Sequence, residues 1–163
     1  MSVAGLTRMR TRWHRLAGCV WLAGCGEGDP CQLEPELLKV QPTAEVDCGR
    51  VPQDADDATN EAARQCVLDA RAAGKTFRAI KLEPAIDSTA ITIYLGLRDG
   101  TVAMVSYGND SFASDGPASF VYESKCDSLR ARPETCEQEW ISLCLECVKA
   151  SEPKQLCHGP LAK

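Results

Sequence analysis

Ten cysteines in 163 residues constrain this chain more than any other feature of its composition. Aromatic residues make up only 6% of the sequence, so a core held by packing alone would be thin. Disulfides supply what packing does not, about 2–4 kcal/mol for each closed loop when the stabilisation is treated as lost chain entropy. They form in an oxidising compartment and rarely in a reducing one, so the destination of the chain decides what its cysteines do.

The N-terminus bears on that destination. Arg8, Arg10, Arg12 and Arg15 make a basic segment, and Leu16 to Ala23 make a short apolar run closed by small residues. Basic, then apolar, then small is the order of an export signal. The run falls far short of the about 20 apolar residues that a membrane-spanning helix needs. Leu22-Ala23-Gly24-Cys25 ends it, and these four residues resemble the lipobox of bacterial lipoproteins. The resemblance covers the first 25 residues. It implies a lipid, palmitate included, on the Cys25 thiol and cleavage just before that residue. It also implies the outer membrane as destination, because Gly26 rather than an aspartate follows. Leu16-Ala17-Gly18-Cys19 repeats the four residues, but His14 and Arg15 directly upstream leave it almost no apolar run. The expected organisation is a signal peptide over 1–24, a lipidated tether over 25–47 and one disulfide-rich domain over 48–163.

Removing residues 1–24 leaves 139 of the 163 residues, enough for one domain with a modest core. The charged residues lost are all arginines, so the formal net charge moves from −5 to −9. A surface so acidic opposes nucleic acid and anionic head groups by charge alone. Cys19 leaves with the signal and Cys25 takes lipid. Cys31, Cys48, Cys66, Cys126, Cys136, Cys144, Cys147 and Cys157 remain, an even number that fits a four-disulfide framework whose pairing the sequence leaves open.

Along the domain, Gly26, Gly28, Pro30, Pro35 and Pro42 punctuate a tether with little regular structure beyond a helical turn or two over Glu34 to Val40. Cys31 suggests that this tether is pinned back to the body. Asp54 to Asp57 open a helix over Ala58 to Ala73, where acidic residues suit the positive end of the helix dipole. Ala62, Ala63, Cys66, Val67, Ala70 and Ala73 recur on one side of it, and Gly74 ends it. Strands are expected over Thr76 to Leu82, with a hint of a bulge, over Thr89 to Leu97, Thr101 to Tyr107 and Ser119 to Ser124. Asp99-Gly100 signals a tight hairpin. Cys136, Trp140, Leu143, Cys144 and Cys147 fall on one stripe of a second helix over about Pro133 to Ala150, followed by a polar tail. The expected fold class is α+β: a helix packed on a four-stranded antiparallel meander with a second, flanking C-terminal helix, stapled by disulfides. Helix followed by meander resembles cystatin-like and related inhibitor folds.

Catalytic chemistry has little to draw on. His14 leaves with the signal, and His158 stands alone in a polar tail. None of the serine-hydrolase, zinc-protease or phosphate-loop signatures occurs. Cys144-Leu145-Glu146-Cys147 has the spacing of a redox pair or half a zinc site, but near a helix C-terminus the dipole works against a thiolate. Asp54, Asp56, Asp57, Asn60 and Glu61 lack the glycine and glutamate positions of a calcium loop and read as a solvated helix start. Phe112, in the polar loop after Tyr107, is the one aromatic placed to serve a binding surface. The expectation is a non-enzymatic binding or interaction module of the envelope, with no catalytic residues, metal or cofactor. Its expected partners are the membrane, through the lipid, and an envelope protein. The alternatives are an inhibitor of a secreted hydrolase and, behind it, a zinc or thiol-redox protein using Cys144 and Cys147.

Overall fold

A computed structural model describes residues 31–85, 88–110, 118–132 and 142–160. The chain opens with helix α1 (Leu33–Val40), strand β1 (Val46–Val51) and helix α2 (Asp57–Ala72). Strands β2 (Phe77–Glu83), β3 (Ala90–Gly96), β4 (Val102–Asp110) and β5 (Ala118–Cys126) follow. Short strands β6 (Ser128–Ala131) and β7 (Leu145–Val148) precede the last strand, β8 (Lys154–Pro160).

The expected four-stranded meander is the middle of a larger mixed sheet. Six strands lie in the order β1-β2-β3-β4-β5-β8, and β6 pairs with β7 in a separate two-stranded sheet. β1 runs parallel to β2, and the other neighbours are antiparallel. The parallel pair needs a crossover, and α2 supplies it. Residues 31–47, expected as a tether, therefore carry α1 and the start of β1, and Cys31 and Leu37 are buried. The bulge expected in the first meander strand is absent from the β2–β3 register; the irregularity falls between β1 and β2, at Asp47 to Arg50.

The expected flanking C-terminal helix is the second correction. Its first part lies outside the described residues. From Ser142 onward the chain makes a 3-10 turn and then β7, with Leu143, Cys144 and Lys149 all at positive φ (52°, 54° and 53°). Of that stripe Leu143 is buried, and so is Leu145, two residues on and outside the stripe, the spacing of a strand face. Pairing decides for the strand: Cys147 faces Leu129 and Glu146 faces Arg130 across the β6–β7 ladder. Arg130 donates to Glu146 Oε2 from Nε at 3.0 Å and from Nη2 at 2.5 Å. Tyr94 Oη donates to Leu145 O at 3.2 Å, tying this small sheet to the large one. The polar tail becomes β8, the second edge of the six-stranded sheet.

Both faces of that sheet are apolar. Phe77, Ala79, Tyr94, Val102 and Cys126 cluster with Ala63, Val67 and Ala70 of α2 and with Leu129, Leu143 and Leu145. Ile91, Ile93, Leu95, Ala103, Val105 and Val121 cluster on the other side with Cys31 and Leu37 at α1. Helix α2 starts where the acidic run ends, capped by Asp56, whose carboxylate accepts from Thr59 N–H at 2.8 Å. The β3–β4 hairpin closes over Arg98-Asp99-Gly100, one residue longer than expected. Gly100 N–H donates to Leu97 O at 3.1 Å, and Gly100 stands at φ 82°, where a side chain is strained.

Aromatic rings cover two glycines of the sheet. Phe77 lies opposite Gly96 across β2–β3, and Phe120 lies opposite Gly108 across β4–β5. A Cβ at Gly96 would enter the Phe77 ring, and Phe77 is only 1% exposed, so the ring has nowhere to go. Gly96→Ala is expected to destabilise the domain by about 1–3 kcal/mol, as overpacking does, measured by urea unfolding with disulfides intact. Phe77→Leu in the same chain should recover part of that loss; an unchanged urea midpoint for Gly96→Ala would contradict the contact.

Candidate functional site

The cysteines define the framework around any site. Cys31 bonds Cys157, Cys48 bonds Cys66 and Cys126 bonds Cys147, with Cα–Cα distances of 5.6, 5.6 and 5.3 Å. Cys144 is disulfide-bonded as well. Its neighbour in the Cys-x-x-Cys motif is committed to Cys126, so Cys144 and Cys147 do not bond each other. Among the described residues, no group of three or more His, Cys, Asp or Glu is placed to hold a metal ion. Cys25, Cys136 and Phe112 lie outside the described residues. His158 is exposed on β8, opposite Phe120. The acidic run at 54–57 is occupied with starting α2: Asp56 caps it, Asn60 Nδ2 donates to Ala55 O and Asp56 O at 3.0 Å each, and Glu61 pairs with Arg64.

An open groove of about 570 Å³ lies between β1 and the first half of α2. The Cys48–Cys66 disulfide joins the two elements, and Ala58, Ala62 and Ala63 keep the helix side low. The β1 side is shaped by Asp47, Gly49 and Arg50. The strand register breaks between Asp47 and Arg50, and Gly49 sits there at φ 86°. Asp47 Oδ1 accepts from Gly49 N–H at 2.9 Å, and Asp47 Oδ2 accepts from Arg78 Nη2 at 3.2 Å. The Gly49 N–H, and then the Arg78 guanidinium, hold the Asp47 carboxyl below its ordinary range against slight burial, so it is a fixed anion. The polar side chains of the lining are thus one carboxylate, one guanidinium at Arg50 and one hydroxyl at Thr59.

Sequence reasoning placed neither β1 nor this groove, although it found α2 and the alanines that line it. The signal that marks both is a helix with Cys66 on its sheet side, preceded by Cys48 in a short Val46–Val51 run and followed by a strand, the arrangement of a parallel crossover. Among the described residues, no helix is long and apolar enough to cross a membrane. Comparison with protein-family models, with curated proteins and with solved structures finds no match.

The acidic groups predict how the fold responds to pH. Glu45, held by the backbone N–H and hydroxyl of Thr76, has its carboxyl lowered. So have Asp56, held by Thr59, Asp99, held by Thr101, and Glu146, held by Arg130. A carboxyl lowered by folding stabilises the fold above its unfolded value, about 3.9 for Asp and 4.3 for Glu, and loses that contribution as pH falls through the folded value. The melting temperature is therefore expected to stay level from pH 7 to about 5 and to drop below about pH 4. A melting temperature that rises on acidification would show that these contacts do not favour the charged forms.

Proposed function

We propose that this chain is a lipid-anchored, disulfide-stabilised lipoprotein of the Gram-negative outer membrane, and that its domain is a non-enzymatic binding module. The observation that carries the proposal is that all seven described cysteines are in disulfides. Such complete cross-linking suits the oxidising compartment to which a lipobox leader would send the chain. The groove beside β1 is the binding surface: small apolar side chains on one wall, a fixed carboxylate and a guanidinium on the other, and both of its sulfurs tied in a bond. That chemistry suits contact with a partner better than bond making.

Neither alternative gains support. The inhibitor of a secreted hydrolase rested on a helix-on-meander shape that the six-stranded mixed sheet replaces. A zinc or redox centre at Cys144 and Cys147 would need thiols that are spent in other bonds.

The test begins with the intact mass of protein extracted from bacterial membranes, with and without reduction and alkylation. A chain starting at Cys25 and carrying lipid, whose cysteines alkylate only after reduction, is the expected result. A retained leader or thiols open before reduction would refute the anchor. The same protein then serves as bait in envelope extracts beside its Ala62→Arg variant, which fills the groove from an exposed helix position. A partner enriched by the first and lost with the second is expected; capture that ignores the substitution would place binding elsewhere.

A further inference from the structure

We infer that the bilayer is itself a contact partner of the domain, met at the β8 edge, and that the short N-terminal connection keeps the β1 groove facing away from it. This rests on the lipoprotein proposal above. The connection ends on a fixed point. Cys31 is 5% exposed and bonded to Cys157 in β8, and its carbonyl accepts from Ser119 Oγ at 2.9 Å. Only residues 26–30 separate it from Cys25. At about 3.3–3.6 Å per residue, the six steps from Cys25 to Cys31 reach at most about 22 Å when fully extended.

The sheet is wider than that reach. β8 and β1 are its opposite edges, with four strands between them. Five spacings of about 4.8 Å put the edges about 24 Å apart, before side chains are added. Standing the domain on its β1 edge would lift Cys31 further from the bilayer than the connection allows. Standing it on the β8 edge asks nothing of the connection. Charge points the same way. The chain without its leader carries a net charge of −9, yet β8 holds no carboxylate and exposes Lys154 and His158. Of the two edge strands it is the one with a net positive charge, since β1 carries Asp47 as well as Arg50. A partner of the β1 groove is therefore one that arrives from the aqueous side.

The test uses the full lipidated protein in vesicles of phosphatidylethanolamine and phosphatidylglycerol carrying a head-group quencher. A fluorescent non-cysteine amino acid is placed at Gln155 in β8 or at Arg50 in β1, both exposed. The expected result is loss of fluorescence at Gln155 and little at Arg50, with the difference shrinking when about fifteen Gly-Ser residues are inserted after Gly28. Equal quenching at both sites would overturn the orientation, and a difference that survives the insertion would overturn the role given to the connection. Intact mass of the same sample keeps the two ideas apart: no lipid on Cys25 overturns the anchor, whereas lipid present with equal quenching overturns only the orientation.

Discussion

Strand β3 is apolar on both sides, and the rest of the domain is arranged to accommodate it. Ile91, Ile93 and Leu95 point to one face and Tyr94 to the other, and all four are buried. An antiparallel sheet often leaves one face to water, but this one has two faces to cover. Helix α2 covers the first with sixteen residues and a row of alanines and valine. The second falls to α1, only eight residues long. A helix that short does not hold itself together in water, so its position depends on tertiary contacts. Leu37 supplies the packing, and the bond from Cys31 to Cys157 fixes the root of the helix beside the sheet.

The other disulfides act in the same way. Cys48–Cys66 ties edge strand β1 to α2, and Cys126–Cys147 ties β7 of the small sheet to the end of β5. Each bond ties an element at the margin of the fold to its neighbour. With so few aromatic residues in the chain, these elements have little apolar area of their own to hold them in place.

That division explains what could be read from the sequence. The helix from Asp57 and the four central strands carry strong periodicity, and each lies within a few residues of where periodicity puts it. The faces of β3 and β4 also fall as their alternation implies. The strands that were missed are β1, β6, β7 and β8, and all but β6 contain a disulfide cysteine. Their pairing is set by long-range cross-links and crossover geometry, which a local pattern does not contain. In residues 142–148 two periods competed, and the ladder to β6 decided between them. The groove suffered from the same gap: its helical wall was legible as a row of alanines, and its strand wall was hidden in a stretch that looks like a linker.

The outlying elements depend on the cross-links, so the most direct measurement is a disulfide map by mass spectrometry of peptides from unreduced protein made from the full chain in a Gram-negative host. Linked pairs Cys31–Cys157, Cys48–Cys66 and Cys126–Cys147 are expected, with Cys144 joined to a cysteine other than Cys147. A Cys144–Cys147 linkage would contradict the arrangement of the outlying strands, and Cys48 and Cys66 recovered as free thiols would contradict the proposed export as well.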